Sequence, residues 1–195
     1  MEPRMDMFNQ APDAYKAMSA LESYSSQHVD KTLLELIKIR ASQLNKCAFC
    51  LAMHTKDARK NGESEERIYA LNAWRESPLY TPAERAVLAF TEAVTLISDE
   101  HVPDDIYNEM KRHFDDKQIA QILMAIVTIN SWNRIAIATR MVPQYASEKT
   151  SAHDGGDETA EAKRERLVQM LEQAIEPIAD KLSAVESFLN DLNKK

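Results

Sequence analysis

Glycine is scarce in this chain, with three in 195 residues, and proline occurs only seven times. With so few residues that break a helix, and with Ala, Leu, Glu, Lys and Met abundant, the composition favours helix along nearly the whole length. No stretch alternates apolar and polar residues with period two, so strands are not expected. A basic surplus is missing as well: the formal charge is −7. That excludes a general binder of nucleic acid or of anionic membranes, since both need a basic face. Cysteine occurs twice, too rarely for a disulfide framework. No apolar run of bilayer-spanning length stands out. The opening residues, MEPRMDMFNQAPD, carry no apolar core of a signal peptide. Hydrophobic residues make up 44% and charged residues 28%, as in globular domains. The expectation is a cytoplasmic, all-α protein with one principal domain.

Local signals divide the chain. Pro12 suits the first position of a helix, with Tyr15, Met18 and Leu21 as its apolar stripe. Asp30 reads as the N-cap of KTLLELIKIRASQL, whose inner face is Leu33, Leu34, Ile37, Ala41 and Leu44, with Glu35 off its centre. Asn45 and Lys46 break that pattern, and a further helix opens near Cys47 and stops at Gly62. SEERIYALNAW is a shorter helix. Thr81, Pro82 and Glu84 spell a capping box before another. PDDIYNEMKRHF follows, and Asp115 with Gln118 caps a long apolar helix expected to run through the core.

These elements assign residues 1–146 to one compact multi-helix domain. A Ser-, Thr-, Asp- and Gly-rich linker follows at 147–160. A helical extension at 161–195 carries a heptad seam from Val168 to Leu192, interrupted by Pro177. The seam fits self-packing and partner docking equally well.

Both cysteines lie in NKCAFCLAMHTKDARKNG, three residues apart, with His54 four residues beyond Cys50. On a helix Cys50 and His54 share a face. A CxxC at a helix start combines a favoured thiolate with a disulfide partner. His54 suits a base for Cys50, and Glu35 on the preceding helix suits the acid that orients it. Three readings of this stretch stay open on spacing alone. One is dithiol redox chemistry, one a zinc site made of Cys47, Cys50, His54 and Glu35, and one a pair of buried structural cysteines. Haem attachment is excluded because Leu51 follows Cys50. Trp74, Arg75, Trp132, Asn133 and Arg134 are assigned to packing, the methionines to core filling, and His28, His101, His113 and His153 to surface or linker positions.

The pattern E-x11-CxxC-xxxH, from Glu35 to His54, resembles the signature of the AhpD-like alkyl hydroperoxidase family. That family sits within the carboxymuconolactone decarboxylase superfamily. The blocks RIYALNAWRESPLYTPAERAVLAFTEAVTLIS and IVTINSWNRIAIATR extend the resemblance over about residues 12–145. It implies an all-helical fold, a homo-oligomer (trimer or hexamer), and a thiol-dependent peroxidase acting on organic or hydrogen peroxide. It also implies that Cys50 attacks the peroxide, Cys47 resolves the sulfenic acid, and Glu35 and His54 relay the proton. An unidentified dithiol would be the reductant, with neither cofactor nor metal. One position departs: Phe49 stands where the best-known peroxidases of the family carry histidine, so a weaker peroxidase is expected. Alternative expectations are a non-enzymatic redox switch or interaction protein, and a cofactor-free lactone decarboxylase-type lyase.

Overall fold

The computed structural model describes residues 2–143. The linker at 147–160, the heptad extension at 161–195 and His153 lie outside the described residues. Among the described residues there are nine α-helices, one 3-10 turn and no strand. They run α1 Met7–Gln10, α2 Pro12–His28, α3 Lys31–Asn45, α4 Ala48–Lys60 and α5 Glu65–Ala70, which continues into the 3-10 turn Leu71–Ala73. Then come α6 Pro82–Thr95, α7 Ile97–Glu100, α8 Asp104–His113 and α9 Asp116–Thr139.

The starts follow side-chain chemistry. The Asp30 carboxylate accepts the Leu33 N–H at 3.1 Å. Thr81 with Glu84, and Asp115 with Gln118, close reciprocal capping boxes on α6 and α9. The ends share one backbone device: α3, α4 and α9 finish in six-residue loops in which an N–H reaches the carbonyl five residues back. The pairs are Cys47 to Ser42, Glu63 to Ala58 and Met141 to Ala136, at 3.0, 3.0 and 2.9 Å. Only Gly62 supplies the expected glycine there; Lys46 and Arg140 adopt φ +59° and +57° in the same place.

Helix α3 is the buried axis, packed against α4, α6 and α9. Its residues from Leu34 to Ser42 are all buried, three charged side chains included. Ile37 and Ala41 meet Val87, Phe90, Ile122, Ile126 and Ile129 in the main core. Leu36 and Ile39 meet Leu71, Trp74 and Leu88 in a second. Each fully buried Leu or Ile contributes about 1.5–3 kcal/mol. By length and composition α9 could cross a bilayer, although no apolar run stands out there. Here it packs against α2, α3, α6 and α8.

Burying charge is tolerable only with partners, and every charge on α3's buried stretch has one. Arg40 is held by Glu92, whose carboxylate also accepts Trp74 Nε1–H at 2.7 Å and Arg75 Nη2 at 2.5 Å. Burial alone would raise the Glu92 pKa. The hydrogen bond from Trp74 and the charges of Arg40 and Arg75 outweigh it and hold the carboxyl below its usual 4.5. A carboxyl depressed in the folded state adds stability that is complete above its unfolded pKa and is lost as pH falls through the folded one. Denaturant unfolding of Glu92→Gln should therefore show a loss of about 2 kcal/mol near neutral pH, with the deficit shrinking below about pH 4. An equal deficit at both pH values contradicts this assignment.

Candidate active site

The turn between α3 and α4 does two jobs at one residue. The Cys47 N–H closes the end of α3, and Cys47 is also the N-cap of α4, where its sulfur accepts the Cys50 N–H at 3.4 Å. The sequence places Cys47 in the first turn. The structure puts it at the cap itself, where the unpaired N–H groups of α4 converge and most favour negative charge on sulfur. Cys50 is the third residue inside α4. The two are joined as a disulfide, with Cα atoms 5.4 Å apart. Both are buried, at 1% and 2% exposure, in a small apolar cluster with Ala136, Phe49 and Met141.

One turn beyond Cys50, His54 is buried at 4% exposure. Its Nδ1 lies 3.0 Å from Glu35 Oε2 across the α3–α4 contact. In a neutral imidazole, a carboxylate at Nδ1 makes that nitrogen the donor and keeps the lone pair on Nε2. The other Glu35 oxygen, Oε1, lies 3.9 Å from Lys38 Nζ, and Lys38 in turn is bonded to Glu22 of α2. Lys38 is buried at 4% exposure. Neither Lys38 nor Glu22 was singled out from the sequence, because a lysine three residues from a glutamate reads as an ordinary surface pair.

A cavity of about 590 Å³ opens over this cluster, a volume suited to a small organic ligand. Cys50, His54, Glu35 and Lys38 lie on its wall, whereas Cys47 does not. Tyr15, Phe49 and Trp132 give the wall an aromatic side, and Tyr15 meets Trp132 edge-on at 5.2 Å. Trp132 packs against the main core, as assigned from the sequence, and also borders the cavity, whereas Met53 sits exposed on its wall rather than filling the core. Asn133 does pack between helices, bonding Asn45 and Ser42 at 2.9 and 3.0 Å. His28, His101 and His113 are exposed. Among the described residues no three His, Cys, Asp or Glu side chains converge as metal ligands; the sulfurs bond each other, and Glu35 bonds His54.

The carboxymuconolactone decarboxylase family model matches residues 10–93, spanning α2 to α6 and all four site residues. YdfG of Bacillus subtilis (strain 168), an uncharacterized protein, is 48% identical over 139 residues, or 71% of this chain and 95% of that one. The chain belongs to the carboxymuconolactone decarboxylase family. Within that family it is AhpD-like. The crystal structure of ATU0492 from Agrobacterium tumefaciens, a protein of unknown function provisionally called an antioxidant defence protein AhpD, superposes with a TM-score of 0.72. It is 42% identical, over 74% of this chain and 100% of that one. The debrominase Bmp8 shares the family fold at 21% identity and a TM-score of 0.62, covering 70% of this chain and 74% of its own. The fold thus serves more than one chemistry, and function has to be argued from the site.

Proposed function

We propose that this protein is a thiol-dependent peroxidase that reduces organic or hydrogen peroxide through Cys47 and Cys50. The observation that supports it is the Glu35–His54 hydrogen bond, one helical turn from a cysteine on a cavity wall and already disulfide-bonded to a second cysteine. In the reduced protein His54 Nε2 takes the Cys50 thiol proton, while Nδ1–H donates to Glu35. The Cys50 thiolate attacks the terminal peroxide oxygen and the O–O bond breaks. The departing alkoxide takes the proton from His54, leaving a Cys50 sulfenic acid and an alcohol. Cys47 sulfur then attacks Cys50 sulfur; the hydroxyl leaves with the Cys47 proton as water, and the disulfide forms. Two electrons have passed from two thiols to one peroxide.

Regeneration needs an external dithiol, not yet identified, which enters where Cys50 faces the cavity. Its thiolate attacks Cys50 sulfur and expels Cys47, whose negative charge is welcome at the N-cap of α4. The second thiol of the reductant then releases Cys50. A reducing compartment such as the cytoplasm suits this cycle, and no cofactor is required. Leu123, Val127 and Ile137 stand exposed along one face of α9, which supports assembly of several copies as a trimer or hexamer; sedimentation equilibrium giving a single-chain mass contradicts that part.

The aromatic wall favours an organic hydroperoxide over hydrogen peroxide. With dithiothreitol as reductant, kcat/KM for cumene hydroperoxide should exceed that for hydrogen peroxide by about tenfold, the worth of burying one or two apolar groups. Enzyme-independent rates for both peroxides contradict the proposed activity.

A further inference from the structure

Beside Glu35 and His54 lies a buried ammonium that peroxide reduction itself does not require. Lys38 sits on the cavity wall at 4% exposure, between two carboxylates from different helices. It is bonded to Glu22 of α2 and lies 3.9 Å from Glu35 Oε1 on its own helix, at ion-pair rather than hydrogen-bond range. An unpaired lysine does not remain buried cheaply. One carboxylate would suffice to pair it; here a second is arranged so that its remaining oxygen is the one that meets His54.

We propose that Lys38 is a positioning residue, anchored by Glu22, that fixes the Glu35 carboxylate against His54 and so sets how readily Cys50 is deprotonated. This rests on the reading of Cys50 as the reactive thiol. The chain of contacts runs Glu22, Lys38, Glu35, His54, with Cys50 one turn before His54 on α4. Glu22 comes from α2, whereas Lys38 and Glu35 share α3, so the register of two helices is written into the relay. Without the ammonium, Glu22 and Glu35 would be two carboxylates across a gap with no cation between them. Their repulsion would swing Glu35 away from Nδ1 and release the imidazole from its tautomer. Among the described residues, the other charged groups facing this cavity are Lys31 of α3 and the Asp57–Lys60 pair of α4, which are 3.1 Å apart. From α9 the wall receives Trp132 and Ala136, and from α2 also Tyr15, which bring no cation to it. Among the described residues, Lys38 is the one lysine or arginine within ion-pair range of Glu35.

The experiment is the rate of iodoacetamide alkylation of the full, dithiothreitol-reduced chain across pH 5 to 10 (roughly), with Cys50 followed by peptide mass. Lys38→Met and Lys38→Gln should both move the Cys50 profile up by about one pH unit and slow alkylation near neutral pH about tenfold. Lys38→Arg, which keeps the charge, should restore the native profile. Should Lys38→Met fail to fold, the contrast between the glutamine and arginine variants decides the matter, because glutamine keeps a donor without the charge. A native-like profile in both neutral variants overturns the role of Lys38 and leaves the peroxidase reading intact. A Cys50 profile of an ordinary free thiol in the unsubstituted protein overturns both.

Discussion

Cys50→Ser is expected to lose peroxide reduction altogether, a fall of about three orders of magnitude or more toward the uncatalysed rate. Cys47→Ser is expected to behave differently: one equivalent of peroxide is consumed, turnover stops, and the protein gains one oxygen atom as a Cys50 sulfenic acid, trappable by dimedone. The asymmetry follows from placement. Cys50 lies on the cavity wall, one turn from His54, while Cys47 is buried at the helix cap and absent from that wall. On this placement a peroxide is expected to reach the first and not the second. Steady-state peroxide consumption and intact mass after one equivalent separate the two variants. The reverse pattern, with Cys47→Ser inert and Cys50→Ser carrying the oxygen, would reassign the nucleophile to the capping residue.

His54→Ala is expected to lower kcat/KM by about 10²–10⁴, the usual worth of a positioned acid–base group. Glu35→Gln should cost nearly as much. A glutamine can turn its amide N–H toward Nδ1, which moves the imidazole proton to Nε2 and removes the lone pair that takes the Cys50 proton. Since both substitutions disable one unit, the double variant should be little worse than either alone. Full additivity in that cycle would mean that the two residues act separately, and the 3.0 Å hydrogen bond would then be structural only.

Much of this fold is legible because its signals are local. Asp30, Thr81 with Glu84, and Asp115 with Gln118 start helices through bonds that span three residues, so the residue types carry the information. Glu35 and His54 are 19 residues apart yet predictable as a pair, since the helices that carry them are joined by a single tight turn. Other features depend on what packs around a residue. Lys46 and Arg140 take a left-handed conformation normally given to glycine, and nothing in their side chains announces it. The short α1 is capped by Asp6, yet its four residues make no apolar stripe to read. Lys38 and Arg40 look like the solvated face of α3 until α2 and α6 bring Glu22 and Glu92 to them. Trp132 packs on the core as its apolar run suggests; that it also borders the cavity depends on the approach of Tyr15 and α4.

The most direct test of the central claim is a thiol count. The full reduced protein is treated with one equivalent of cumene hydroperoxide, and both remaining thiols and remaining peroxide are measured. The two thiols are expected to disappear together, one pair for each peroxide consumed, as Cys47 and Cys50 join. Two intact thiols beside untouched peroxide would contradict it, and the likeness to AhpD would then describe the fold and not the chemistry.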